Sequence, residues 1–303
     1  MILIAVVVGI ASLSWMFDMP NKLSPVSLEM HLFCLRSLPH GVENLDSLEA
    51  LVCGKNMQDL QFQHLLMQTS LIHIFIVSGS HFIFLHKILA KVFGKSAWLL
   101  FVLGLYAMVT LCQPPSVRSL LFLVLCEISA RKKWSASKLQ LVGISALTTL
   151  AFFPQWITSR SFLMSLMAAL AMTVASEFMD RKMSEVARAF WSQSFMYFAM
   201  GFCLWGFSNL HPLSIVFNIL LGSLIGGLLF PLGFIAVILP FTTLLFDQTL
   251  DALRWVLQTS AEVLKDESAA TPLQMILQWS VLVLILVLAH PLTVHKKRRA
   301  YDD

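Results

Sequence analysis

The sequence predicts an all-α membrane protein, a polytopic transmembrane helical bundle of about ten crossings with at least one broken helix. Three observations lead there. Of the 303 residues, 57% are hydrophobic and only 13% are charged, about half the roughly 25% usual in soluble proteins and too few to cover a water-exposed surface of this size. Apolar runs recur along most of the chain. Lysine and arginine gather in alternate loops between those runs.

The runs fall at 2–17, 71–90, 96–112, 117–130, 139–153, 161–176, 190–207, 213–230, 232–246 and 276–292. A helix needs about 20 residues to cross hydrocarbon, so the shorter runs have soft boundaries. The first lacks the basic start of a secretory signal and reads as an uncleaved membrane anchor, residues 1–17, with a cleaved leader as the alternative.

Basic residues set the orientation, because short cytoplasmic loops are enriched in them. Lys87, Lys91 and Lys95, then Arg131, Lys132, Lys133 and Lys138, then Arg181, Lys182 and Arg188, and finally the tail Lys296–Arg299 are expected inside. The intervening loops 113–116, 154–160 and 208–212 are poor in basic residues. Ten crossings with both termini cytoplasmic satisfy every loop.

Residues 18–70 then form a short extracytoplasmic segment. Its two cysteines, Cys34 and Cys53, are a candidate disulfide in an oxidising compartment; two unpaired thiols are the alternative, since spacing fixes no geometry. Cys112, Cys126 and Cys203 lie in apolar runs and read as packing residues. No CxxC spacing occurs, and neither a metal nor a cofactor is expected.

The competence of the chain for chemistry rests in its core, 71–246. The run from His73 carries Ser78, Gly79, Ser80 and His81 at mid-depth. Polar residues are costly there and mark a bundle interior or a water path. Gly weakens a helix and Ser competes for its backbone bonds, so this is the expected break, tolerated only against protein or a wet cavity. A pathway or gating role stands beside a plainer one, small-residue packing around a hydrogen-bonded histidine. Ser78 and His81 share a helical face, as a nucleophile and base would, but no acid lies near in sequence, and the chain is not read as an enzyme. Phosphate-loop, HExxH and dinucleotide fingerprints are absent from the sequence.

The turn 113–116, with Pro115 suited to a helix start, leads to Arg118, a cation at the outer end of a crossing. Arg118 snorkels to headgroups, faces an anionic ligand or caps carbonyls. Asn218 sits in an apolar run ahead of Gly222 and Gly226, whose spacing suits close helix packing. Pro231 and Pro240 leave 213–246 as two kinked crossings or a partly re-entrant stretch. Residues 247–275 read as an amphipathic interfacial helix: Leu250, Leu253, Leu257, Ala261 and Leu264 recur at helical spacing, with Asp251, Arg254, Glu262 and Lys265 on other faces. It lies on the outer surface or packs across the mouth of the bundle. Residues 276–303 supply the last crossing and the basic cytoplasmic tail.

These motifs resemble one family. The stretch Gln68–His81 is similar to the signature of the ComEC competence proteins, approximately T-G-x-x-H-L-L-A-I-S-G-L-H, with Thr69, His73, Ser78, Gly79 and His81 matching in place. Ser70 stands where that pattern has Gly, and Ser80 where it has Leu. Residues 48–54 resemble the family's A-L-L-x-G approach, 115–121 its P-S-x-x-R region with a shortened gap, and 212–218 its L-x-x-N segment. The resemblance implies an inner-membrane channel that admits single-stranded DNA during natural transformation. His73, Ser78, Gly79, His81, Arg118 and Asn218 would then shape or line the path. It also implies separate nuclease and DNA-binding competence proteins as partners, and an oligomer or complex. The chain is expected to be the membrane-spanning domain alone, without the family's OB-like and metallo-β-lactamase-like domains, since 18–70 is too short for an OB barrel. The alternatives are a permease for a small solute or lipid-linked molecule, and a non-transporting membrane scaffold.

Overall fold

A computed structural model of the chain describes residues 19–261, apart from 40, 70, 77, 95–97, 180–182 and 205–213, together with Ser280. The expected anchor 1–17, nearly all of 262–303, and Lys95, Arg181 and Lys182 lie outside the described residues.

Within them every regular element is helical. The first half comprises α1 (Met19–Arg36), α2 (Leu45–Leu48), a π turn (Glu49–Cys53), α3 (Leu60–Gln68), α4 (Ile72–Phe75), α5 (Gly79–Phe93) and α6 (Trp98–Val109). Then follow α7 (Pro114–Arg131), α8 (Lys138–Phe152), α9 (Arg160–Phe178), α10 (Glu185–Leu204), α11 (Ser214–Leu224), a second π turn (Ile225–Leu229), α12 (Phe230–Ile238) and α13 (Thr243–Ala261).

Local chemistry explains where these helices start. Asp59 accepts the amide proton of Phe62 to open α3, at 3.0 Å, as an N-cap side chain does. Ser137 and Gln140 form a reciprocal capping box at α8, with bonds of 3.2 and 2.8 Å. Two prolines occupy the first turn of α7, where a missing N–H costs nothing.

Two stretches are long and apolar enough to cross a bilayer, Ile72–Phe93 and Ile215–Ile238. The described residues thus supply two crossings by this criterion against the ten expected; Trp98–Val109 and Lys138–Phe152 are apolar but shorter. Large apolar side chains nonetheless face outward on successive helices, among them Phe101, Leu147, Phe198, Leu220 and Ile238, a surface suited to lipid rather than water.

Residues 214–238 form one helical rod rather than two crossings or a re-entrant loop. The π turn absorbs the backbone ahead of Pro231, which falls in the first turn of α12, and the rod ends at Leu239 before Pro240. No single helix covers 232–246, and α13 begins earlier than the amphipathic period suggests.

The polar segment 18–70 folds into the largest core. Leu48, Leu51, Phe62, Leu66 and Phe75 pack with Ile225, Leu229 and Phe230 of the rod and with Phe246, Leu250, Leu253 and Leu257 of α13. The leucine stripe of α13 is therefore turned onto protein, while Trp255 and Leu244 remain exposed. A second core joins α8, α9 and α10 around Val142, Phe162, Leu166 and Cys203. A third joins α5 to α6 around Phe82, Leu103 and Tyr106.

Candidate functional site

The helix begun at Ile72 stops after one turn. Ile76 is extended (φ −70°, ψ 145°), Ser78 is extended (φ −124°, ψ 170°), and α5 starts afresh at Gly79. The break falls at the Ser-Gly-Ser triplet. His81 sits where a capping box places Glu or Gln, and its Nδ1 accepts the Ser78 amide proton at 2.9 Å. An accepting Nδ1 places the ring proton on Nε2, which is buried with no partner among the described residues. The imidazole lies on Phe230 of the rod, with ring centroids 4.2 Å apart. The Ser78 and Ser80 hydroxyls share a hydrogen bond of 2.7 Å, and Ser80 is exposed, so the break opens at the surface of the described protein. Ser78 Oγ lies 3.4 Å from His81 Nδ1, but that nitrogen is already held by the backbone amide. The pair is arranged as a cap.

Gly79 is buried against α7. A methyl group there would run into Ser119 Oγ and come within 3.2 Å of Arg118 Nη2. Only glycine permits this approach. Arg118 is 4% exposed. Its Nε donates to Ser165 Oγ of α9 at 2.9 Å and its Nη2 to Ser119 Oγ at 3.2 Å. Among the described residues no carboxylate pairs with it. The cation abuts the N-terminus of α5, the positive end of that helix dipole. Among the described residues the junction therefore carries positive charge with no carboxylate to balance it, an arrangement that suits an anion.

The other predicted residues lie in two groups. Gly222 faces the chain just before the break: a methyl there would lie 2.9 Å from Ile74 Cδ1, one residue beyond His73. Asn218 is buried one turn earlier, and its Oδ1 has no partner among the described residues. No described residue comes within 4 Å of a methyl at Gly226, so the close-packing argument applies to the first glycine only.

Pro115 is buried in the first turn of α7 and belongs to the second group, a junction with the N-terminal segment. Cys34 and Cys53 form a disulfide, with Cα atoms 6.0 Å apart. Beside it, Tyr106 donates to Val52 O at 3.1 Å and Gln113 Nε2 to Gly54 O at 2.8 Å. Gly54 has φ +76°, and its position is 3.1 Å from Thr110 Cβ, counted to an added methyl. The disulfide thus fastens α1 to the π turn Glu49–Cys53, and the Gly54 carbonyl that follows it receives the bond from Gln113, at the turn that launches Arg118.

Sequence reasoning missed Ser119, Ser165 and Phe230. A serine next to Arg118 was a usable signal; Ser165 and Phe230, distant in sequence, gave none.

The chain matches the family model described as Competence protein over residues 52–298. It belongs to the competence protein family. The match is to the ComEC membrane domain, and it takes in the break, Arg118 and Asn218. No curated protein and no solved structure matches the chain. As a competence-family member the chain is a membrane protein, in keeping with its outward apolar side chains.

Proposed function

We propose that this competence-family protein is a ComEC-like channel through which single-stranded DNA crosses the inner membrane during natural transformation. The observation that carries the reading is the junction of Gly79 and Arg118. A helix broken within the membrane presents its N-terminus beside a buried guanidinium with no carboxylate among the described residues. A backbone phosphate is the group that such a junction would neutralise. Exposed Ser80 supplies the approach, and the imidazole of His81 on Phe230 holds the break open at a fixed place.

In this reading the chain crosses the membrane several times, with its basic loops on the cytoplasmic side. It works without a cofactor and with separate nuclease and DNA-binding proteins. The test is nuclease-resistant uptake of labelled DNA in a transformable host that lacks any second gene of this family. Deletion should abolish uptake; the wild-type gene should restore it and Arg118→Ala should not. Unchanged uptake in the deletion strain overturns the reading.

A permease for a small solute is the second reading. It is favoured by two buried atoms with no partner among the described residues, His81 Nε2 and Asn218 Oδ1, which a small polar ligand would satisfy. Salt-dependent binding of oligonucleotides separates the two.

A further inference from the structure

Far from the break, the turn between α7 and α8 borders an open surface cavity of about 490 Å³ lined by Cys126, Ser129, Ala130, Lys133, Trp134, Ser135 and Leu141. Its construction is unusual. Helix α7 ends in a Schellman motif: the Trp134 amide donates to Ser129 O at 2.9 Å and the Lys133 amide to Ala130 O at 3.4 Å. The residue at the left-handed position is Lys133, with φ +52°. Glycine is the usual occupant, and a lysine there is strained. The strain places an ammonium-bearing side chain in the cavity wall. Ser129 Oγ donates to Trp134 O at 3.3 Å and fixes the turn that carries the indole.

The surroundings are basic. Arg131 is held by Glu127 at 2.7 Å. Among the described residues Lys132, Lys133 and Lys138 have no carboxylate. Cys126, Ala130 and Leu141 contribute apolar surface, and Ile128 and Trp134 are exposed alongside. An apolar recess edged by Lys133 and an indole matches one amphiphile: a phosphate headgroup against Lys133, its glycerol and upper chains against the wall.

We propose that this cavity is a binding site for an anionic phospholipid, which anchors the α7–α8 turn at the membrane surface. The proposal requires that the chain lie in a membrane and is independent of what it transports.

The experiment uses the full-length protein in nanodiscs of phosphatidylcholine with a minor fraction of phosphatidylglycerol. Native mass spectrometry counts the lipid retained, and phosphatidylglycerol with brominated chains reports contact by quenching Trp134, isolated as the difference from Trp134→Phe. Wild type should retain phosphatidylglycerol in at least tenfold preference to phosphatidylcholine and show the quenching difference. Lys133→Gly keeps the left-handed turn without strain and removes the cation, so its fold is preserved; it should lose the preference. A second variant, Ala130→Phe, fills the recess and should lose the quenching. Equal retention of phosphatidylglycerol by wild type and Lys133→Gly overturns the proposal, as does equal retention of the two lipids by wild type. Displacement of the lipid by inorganic phosphate or by a short oligothymidylate would overturn it too, reassigning the rim to free phosphate or to nucleic acid. Transport of DNA can fail or succeed without moving any of these readouts.

Discussion

The imidazole of His81 lies flat against the ring of Phe230, with centroids 4.2 Å and planes 29° apart, while its Nδ1 holds the Ser78 amide proton. One side chain thus does two things: it caps the new helix, and it docks the break onto the rod. His81→Phe keeps the ring and loses the cap, at about 1 kcal/mol. His81→Ala loses both and leaves a void, at roughly 3 kcal/mol. Thermal unfolding of the purified variants should rank them in that order below wild type, and DNA uptake should fall most for alanine.

Gly79→Ala should reduce uptake at least tenfold, because its methyl group meets the Ser119 hydroxyl. The closest obstacle is that oxygen, with Arg118 Nη2 next at 3.2 Å. Ser119→Ala removes the oxygen and leaves the guanidinium, so the double variant should recover part of the loss relative to Ser119→Ala alone. A double-mutant cycle with no coupling would show that α5 and α7 do not meet here.

Thiol labelling of the unfolded protein should modify three cysteines before reduction, Cys112, Cys126 and Cys203, and five after it. The Cys34–Cys53 loop spans 19 residues, and opening it should cost about 3 kcal/mol, read as a lower unfolding midpoint of Cys34→Ser/Cys53→Ser under oxidising conditions.

Gly222 and Gly226 should behave differently despite their shared motif. Gly222→Leu drives a bulky chain into Ile74 and should disable uptake, whereas Gly226→Ala has room among the described residues and should change stability by no more than about 0.5 kcal/mol.

Asp247 of α13 accepts the amide protons of Glu43 and Asn44 at 3.2 and 3.1 Å and the Asn44 side-chain amide at 3.2 Å. Asp247→Ala leaves these donors unmet, at about 1–3 kcal/mol. Hydrogen exchange at residues 43–44 should accelerate, while exchange in α8 and α9 should not.

The break was legible because glycine between serines has few other uses inside an apolar run, and the disulfide because only two cysteines fall in one polar stretch. Arg118 was legible as an oddity, though its burial was not: a cation near a helix end ordinarily reaches water, and here two serine hydroxyls from α7 and α9 hold it inside. The contacts of the N-terminal segment were not legible. Asn44, Ser47 and Asp59 spend their polarity on α13, through Asp247, Asp251 and Arg254. Such pairings join residues some two hundred positions apart and leave no local period to read. The π turn at Ile225–Leu229 has no polar residue at all and arises from packing around the proline that follows.

The bond from Arg118 to Ser165 spans 47 residues, and this has a consequence for biosynthesis. A chain elongating at roughly 5–20 residues per second presents Ser165 about 2–9 s after Arg118. Throughout that interval α7 carries a guanidinium without one of its two partners. Released singly into lipid, it would expose that charge to hydrocarbon. On the proposed reading, in which these helices cross the membrane, α7 is expected to be retained until α9 emerges, and the three helices from Pro114 to Phe178 to enter the bilayer as one cargo.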